Sequence, residues 1–279
     1  MYESYYGLTE KPFSIQPDPQ YLFLSKRHTL AYTMLEYSLQ NNAGYTVICG
    51  DIGCGKTTLI HHLINNYKSE LTVGLLYNTP PHVEDIMQWV MMSFGLAHEG
   101  LTDIEMHKQF QDFLVKNFTS GKKAILIIDE AQNLTMNALE ALRMLSNISV
   151  YKHQLLQVIL VGQPELKLML MQPELEQFNQ RVSVEFYLTA LKEEEIKKYI
   201  QHRVKVSGSK KELFTDKAYI RIAEESKGIP RKINILCDLA LVYGFSSEAP
   251  KIDVDLVNEV INDKEQYGVF SNKSDKLNE

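Results

Sequence analysis

The sequence predicts a doubly wound α/β domain followed by a smaller, all-helical one. Three observations predict it. Short apolar runs alternate with helical stretches between residues 45 and 188, as parallel-sheet proteins require. A glycine-rich turn joins the first of those runs to a helix. Beyond Leu191 only helical patterns are legible.

The elements follow in order. Residues 1 to 25 hold Tyr5, Tyr6, Pro12, Phe13, Pro17, Pro19, Tyr21 and Phe23. That is too apolar for a free tail, so an ordered segment packed on the first domain is expected. His28 to Leu39 reads as a helix with Leu30, Met34, Leu35 and Leu39 on one face. Tyr45 to Cys49 reads as a buried strand and Thr58 to Leu63 as the helix after the turn. Leu71 to Tyr77 is a second strand, then Val83 to Phe94 and Asp103 to Phe118 are helices. Ala124 to Asp129 is apolar up to its final carboxylate, the mark of a central parallel strand. Leu155 to Val161 and Val184 to Leu188 complete five strands. The first domain is thus placed at 1–190. The second, at 191–263, opens on Glu193-Glu194-Glu195, which complement a helix N-terminus, and buries a stripe of Ile196, Ile200 and Val204. Residues 264–279 are polar and read as a flexible tail.

The glycine-rich turn is Gly50-Asp51-Ile52-Gly53-Cys54-Gly55-Lys56-Thr57. Two glycines five apart, followed by Lys and Thr, make the P-loop pattern. Backbone N–H groups converge on phosphates there, and side chains would block the approach. Gly50, Asp51, Gly53, Cys54, Gly55, Lys56, Thr57 and Thr58 are therefore candidate nucleotide-binding residues. Lys56 supplies a point charge for the β- and γ-phosphates, and Thr57 a hydroxyl for Mg²⁺. The strand at 124–129 delivers Asp129 and Glu130 to the carboxyl edge of the sheet, where open α/β folds bind ligands. Asp129 is the second metal-orienting candidate and Glu130 the group that polarises an attacking water. ATP and Mg²⁺ are the expected ligands, and Mg-dependent ATP hydrolysis the expected reaction.

Composition narrows the class. The 279 residues carry a net charge of −6, which argues against a general nucleic-acid coat protein. Cys49, Cys54 and Cys237 show no metal or disulfide spacing, so a reducing cytoplasm is the expected compartment. Residues 1–6 lack the basic-then-apolar order of a signal peptide. No apolar run reaches the roughly 20 residues that span a bilayer, so direct membrane insertion is not expected. Cys54, inside the loop, reads as small filler, and the histidines lack metal spacing.

These motifs together resemble the AAA+ ATPases, and more closely the general secretion pathway protein A (ExeA-like) group. The resemblance runs from residue 2 to about 262. It is carried by Tyr5-Tyr6-Gly7-Leu8, Lys11-Pro12-Phe13 and Pro17-Asp18-Pro19, then by Asp129-Glu130-Ala131-Gln132-Asn133-Leu134. Further on come Leu160-Val161-Gly162-Gln163-Pro164-Glu165-Leu166, Gln180-Arg181-Val182 and Gly228-Ile229-Pro230-Arg231-Lys232-Ile233-Asn234. It implies a three-layer αβα core with a five-stranded parallel sheet and a helical lid. It also implies three roles: Gln163 as the sensor that helps place the attacking water, Arg181 as an arginine finger reaching a neighbouring subunit's γ-phosphate, and Arg231 as the lid's nucleotide sensor. Pro230 suits a first helical position. Arg231 then sits in a first turn, where a cation opposes the helix dipole, and this suggests a role other than stability.

Shorter members of the group are associated with exosortase and exopolysaccharide gene clusters or with pilus biogenesis. The resemblance therefore implies an ATP-driven oligomer that serves assembly or export of an envelope structure through an inner-membrane partner. Other relatives select DNA targets for transposition, and DNA is the alternative partner. Residues 191–232 hold twelve Lys or Arg against seven Asp or Glu, an excess that could face phosphates.

Overall fold

The computed structural model describes residues 1–77 and 86–268. The chain divides into two units. One comprises Lys26–Ile52 and Lys56–Thr189; the other comprises Met1–Ser25, Gly53–Gly55 and the chain from Ala190 onward.

Seven strands are present among the described residues: β1 (Tyr45–Gly50), β2 (Leu71–Leu76), β3 (Lys123–Ile128), β4 (Ser149–Val150), β5 (His153–Gln154), β6 (Leu156–Gly162) and β7 (Val182–Leu188). The helices are α1 (Glu3–Tyr6), α2 (Lys26–Gln40), α3 (Lys56–Tyr67), α4 (Ile86–Ser93), α5 (Asp103–Thr119), α6 (Met136–Leu145), α7 (Pro164–Leu170) and α8 (Glu176–Asn179), then α9 (Glu193–Val206), α10 (Asp216–Ser226), α11 (Pro230–Ser246) and α12 (Val254–Tyr267).

Five strands make one parallel sheet in the order β2-β3-β6-β1-β7, the core of a three-layer αβα domain. β1 and β6 are buried at every position, and β3 at all but its first, which is why their sequences are apolar without alternation. The strands pair in parallel, so crossover connections containing helices must carry the chain back to the same edge. Tyr45 packs on Phe178 with ring centroids 4.6 Å apart. β4 and β5 form a two-residue antiparallel hairpin before β6 that periodicity alone does not signal.

The helical unit is built on α9 to α12. Thr215 caps α10 and Asp253 caps α12 with side-chain oxygens, satisfying N–H groups that have no partner within the helix. Ile196, Ile200 and Val204 form the expected buried stripe on α9.

Three expectations are corrected. The segment 1–25 belongs to the helical unit, not to the sheet domain. Tyr2, Tyr6, Leu8 and Phe13 join the core that holds Phe214, Ile233 and Leu241. Polar contacts hold it there: the Thr9 N–H donates to the Ser207 carbonyl at 2.9 Å, and the Tyr2 hydroxyl donates to Asp238. Leu30 does not join the buried face of α2; it is 47% exposed, while His28, Ala31, Leu35 and Ser38 face inward. Ala31, Leu35 and Ser38 follow the three-to-four-residue helical repeat, and Leu30 lies one residue off that line. The tail begins later than expected, because α12 continues to Tyr267. Residues 83–85 of the expected helix at 83–94, and residues 269–279 of the expected tail, lie outside the described residues.

Candidate nucleotide site

The site begins with the register of three strands. Cys49 on β1 is level with Gly162 on β6, and Ile128 on β3 with Leu160 on β6. The chain segments that follow, beginning at Gly50, Asp129 and Gln163, therefore leave the same edge of the sheet together. The order also interposes β6 between the strand that feeds the P-loop and the strand that delivers Asp129. Gln163 is placed between them for that reason alone.

Gly50 has no freedom to be another residue: a Cβ there would lie 2.4 Å from the Leu188 carbonyl oxygen. Gly53 sits at φ +81°, and its Cβ would lie 2.6 Å from Cβ of Arg231. The Arg231 backbone N–H donates to the Gly53 carbonyl at 3.2 Å, both within the helical unit. Arg231 follows Pro230 in the first turn of α11, as expected. Cys54 is fully buried, in keeping with a packing role.

Lys56 opens α3 and is 8% exposed. Its Nζ donates to the carbonyls of Gly50 (2.7 Å) and Asp51 (3.1 Å), drawing the loop around itself. Thr57 Oγ1 donates to Asp129 Oδ2 at 2.7 Å, so the two metal-orienting candidates, separated by 72 positions in sequence, touch. Thr58 is half-buried in the same turn. Asp129 is 9% exposed, and its Oδ1 accepts the Glu130 N–H at 3.0 Å.

Glu130 adopts a left-handed backbone, φ +55° and ψ 40°, a conformation that costs a non-glycine residue about 1–3 kcal/mol. Its Oε2 accepts from Gln163 Nε2 at 2.8 Å and from Gln132 Nε2 at 2.5 Å. Gln163 occupies the N-cap position of α7 but makes no capping bond with its side chain, which goes to Glu130 instead.

Arg181 stands apart. It precedes β7, whose Val182 is level with Tyr45 at the start of β1, whereas the P-loop follows the end of β1. Five residue steps of strand separate the two levels, about 16 Å. Arg181 donates to Asn147 Oδ1 there.

Three residues around the site escaped the sequence reading. Gln132 is one, although its place two residues after Glu130 was a usable signal. Tyr187 on β7 donates to Asp51 Oδ1 at 3.1 Å. Arg27 on α2 donates to the Tyr187 carbonyl at 2.9 Å and lies 4.7 Å from the Phe186 ring centroid. Nothing local in the sequence links those two to the loop. Tyr77 also lies near, with His61 Nε2 2.5 Å from its hydroxyl; burial, then the Asp129 charge, raises that hydroxyl's pKa.

The donor set suits magnesium. One hydroxyl and one carboxylate in contact match the one or two protein ligands that Mg²⁺ takes alongside phosphate and water. No cluster of three or more His, Cys, Asp or Glu that could hold a metal ion is found among the described residues.

A glycine-rich strand–loop–helix turn, a hydroxyl in contact with a carboxylate, and a second carboxylate beside a polar residue on the adjacent strand end are the features of a P-loop fold of the AAA+ class. Residues 39–170 match the family described as AAA domain. The chain is 36% identical over 253 residues to general secretion pathway protein A of Aeromonas hydrophila, covering 90% of this chain and 46% of that protein. The chain is thus similar to the AAA family over residues 39–170, and over most of its length to general secretion pathway protein A. It spans just under half the length of that relative.

Among solved structures, the ORC2 protein of Aeropyrum pernix, in ADPNP–ADP complexes, superposes with a TM-score of 0.63 at 18% identity, covering 85% of this chain and 67% of that one. The ORC1 protein of the same organism, in complex with DNA, gives 0.66 at 14% identity, covering 92% and 70%. At these identities the likeness shows the fold alone.

Proposed function

We propose that this chain binds ATP with Mg²⁺, hydrolyses it, and uses the cycle to drive or switch assembly or export of an envelope structure. One observation carries the chemical part: Thr57, Asp129, Glu130 and Gln163, drawn from three strand ends, meet beside Lys56. Lys56 leaves its loop carbonyls for the β- and γ-phosphates. The backbone amides of Gly53, Cys54, Gly55 and Lys56 hold the phosphate oxygens, with Gly50, Asp51 and Thr58 shaping the cradle. Thr57 and Asp129 hold the metal, which when bound neutralises charge on the phosphates. Glu130 orients and polarises the attacking water, and Gln163 helps to place it. Arg231, against Gly53, reads the nucleotide from the helical unit.

Arg181 lies too far along the sheet to serve its own P-loop, which supports its use on the nucleotide of a neighbouring copy. The active form is therefore an ATP-dependent homo-oligomer. The process rests on kinship with general secretion pathway protein A. Its setting is the cytoplasmic face of the inner membrane, reached through a protein partner. No helix among the described residues is long and apolar enough to cross a membrane. The DNA alternative rests on the basic excess of residues 191–232, three of whose twelve cations are engaged elsewhere. Arg203 is buried, Lys197 pairs with Asp216 and Glu212, and Arg221 pairs with Glu224 and Glu225.

The test is steady-state ATP turnover with and without Mg²⁺ and duplex DNA, using Glu130→Gln as the blank. The variant is expected to keep its ATP affinity and to lose about 10²–10⁴ in rate. Equal turnover by both proteins refutes the ATPase reading, and salt-sensitive stimulation by DNA restores the DNA alternative.

A further inference from the structure

Gln132 closes a ring of hydrogen bonds between the two groups that handle the attacking water. Its Nε2 donates to Glu130 Oε2 at 2.5 Å, and its Oε1 accepts the backbone N–H of Gln163 at 3.0 Å. The Gln163 side chain completes the ring with its own bond to the same Oε2 at 2.8 Å. The amide has one workable orientation. Rotating it by half a turn would set oxygen against carboxylate oxygen at one end and NH₂ against N–H at the other.

The backbone is shaped around this ring at two further points. Glu130 is held in the left-handed region, at φ +55°. Gly162 has no side chain because a Cβ there would lie 2.9 Å from Gln132 Oε1 and 2.6 Å from Leu166. With Oε2 taken by two amides, Oε1 of Glu130 takes no hydrogen bond from any described residue.

We propose that Gln132 is a positioning residue for ATP hydrolysis. By holding one oxygen of Glu130 and the backbone of Gln163 with the two ends of one amide, it aims the other carboxylate oxygen at the attacking water. The inference rests on the ATPase reading above and adds a residue to it. Gln132 acts through Glu130, so it matters for turnover and not for nucleotide affinity.

The experiment measures kcat and KM for MgATP, ATP affinity by calorimetry, and the unfolding midpoint, all on the full chain. Gln132→Met removes both ends of the amide at similar length. Gln132→Glu keeps an acceptor for Gln163 but faces Glu130 with a second carboxylate. Gln132→Asn keeps both ends one carbon short. Both Gln132→Met and Gln132→Glu are expected to lose about 10–100-fold in kcat, with ATP affinity changed by less than about threefold; Gln132→Asn should be intermediate. In a Glu130→Gln background, Gln132→Met should cost nothing further, because the group it positions is already disabled.

Wild-type turnover above the Glu130→Gln blank, with Gln132→Met and Gln132→Glu within about twofold of wild type, overturns the inference alone. So does a Gln132→Met loss that persists in full on top of Glu130→Gln. Wild-type turnover no greater than that blank overturns the ATPase reading, and the inference with it.

Discussion

Arg203 offers the sharpest test of how the amino-terminal segment is held. It is 6% exposed on α9, and each of its three guanidinium nitrogens donates a hydrogen bond. Nε donates to the Pro12 carbonyl at 2.5 Å, Nη2 to the Ser14 carbonyl at 3.2 Å and Nη1 to the Tyr199 hydroxyl at 3.1 Å. The guanidinium carbon also lies 4.7 Å from the Tyr21 ring centroid. Arg203→Met keeps most of the stem and deletes the fork. The Pro12 carbonyl then loses a charge-assisted bond worth about 1.5–3 kcal/mol. Ser14 loses less, because Asn234 Nδ2 still donates to it at 3.3 Å. The ring contact adds about 1 kcal/mol. Relief from burying a charge returns about 1–2 kcal/mol. The net loss is about 1–3 kcal/mol, confined to the docking of residues 1–25.

Chymotrypsin reads this locally. Phe13 is 1% exposed, and the Phe13–Ser14 bond lies between the two held carbonyls. Cleavage there requires the segment to open, so the variant should be cut about 5- to 150-fold faster, followed by mass spectrometry. Arg203→Lys, with a point charge in place of the fork, should fall between. A rate for Arg203→Met within about threefold of wild type would refute the reasoning and leave the apolar contacts of Tyr2, Tyr6 and Phe13, with the Thr9 and Tyr2 hydrogen bonds, as the anchor.

Two further outcomes are expected. Arg181→Ala should leave ATP affinity intact and lower turnover, by up to about 10³. Mixing it with Glu130→Gln should restore activity, because one protomer then lends an arginine to the other's intact carboxylate; no gain on mixing would remove Arg181 from the reaction. His202 Nε2 is buried without a hydrogen-bond partner, and burial, then the Arg203 charge, lowers the ring's pKa below its ordinary value of 6.5. The unfolded chain therefore takes up the proton first. Stability is full above that pH and is lost as pH falls below it toward the folded value. Thermal unfolding scanned across this range should show the decline, and His202→Gln should flatten it; an unchanged slope would contradict the assignment.

Much of the site was legible because its chemistry is local. Gly50 to Thr57 are one contiguous strand–turn–helix junction, and Asp129 and Glu130 directly follow one strand, so spacing and residue type announce them. The resemblance supplied Gln163, Arg181 and Arg231. Gln132 was passed over because its role depends on Gln163, 31 positions away, reached only across the β3–β6 register. Tyr187 and Arg27 were invisible for the same reason, their partners being 136 and 160 positions distant.

The chain order of strands and helices, the phosphate loop and the carboxylate pair follow from the sequence, because hydrophobic period and backbone stereochemistry act between near neighbours. Tertiary structure decided the rest. Aromatic and proline content showed that residues 1–25 are ordered but not which core they join. That choice falls to long-range contacts: Arg203 with Pro12 and Ser14, Tyr2 with Asp238, Phe13 with Phe214. The strand order that sets β6 between β1 and β3 likewise has no local signature. It follows from how the five strands and their crossing helices bury apolar surface together, and it brings Thr57 to Asp129 and Gln163 to Glu130.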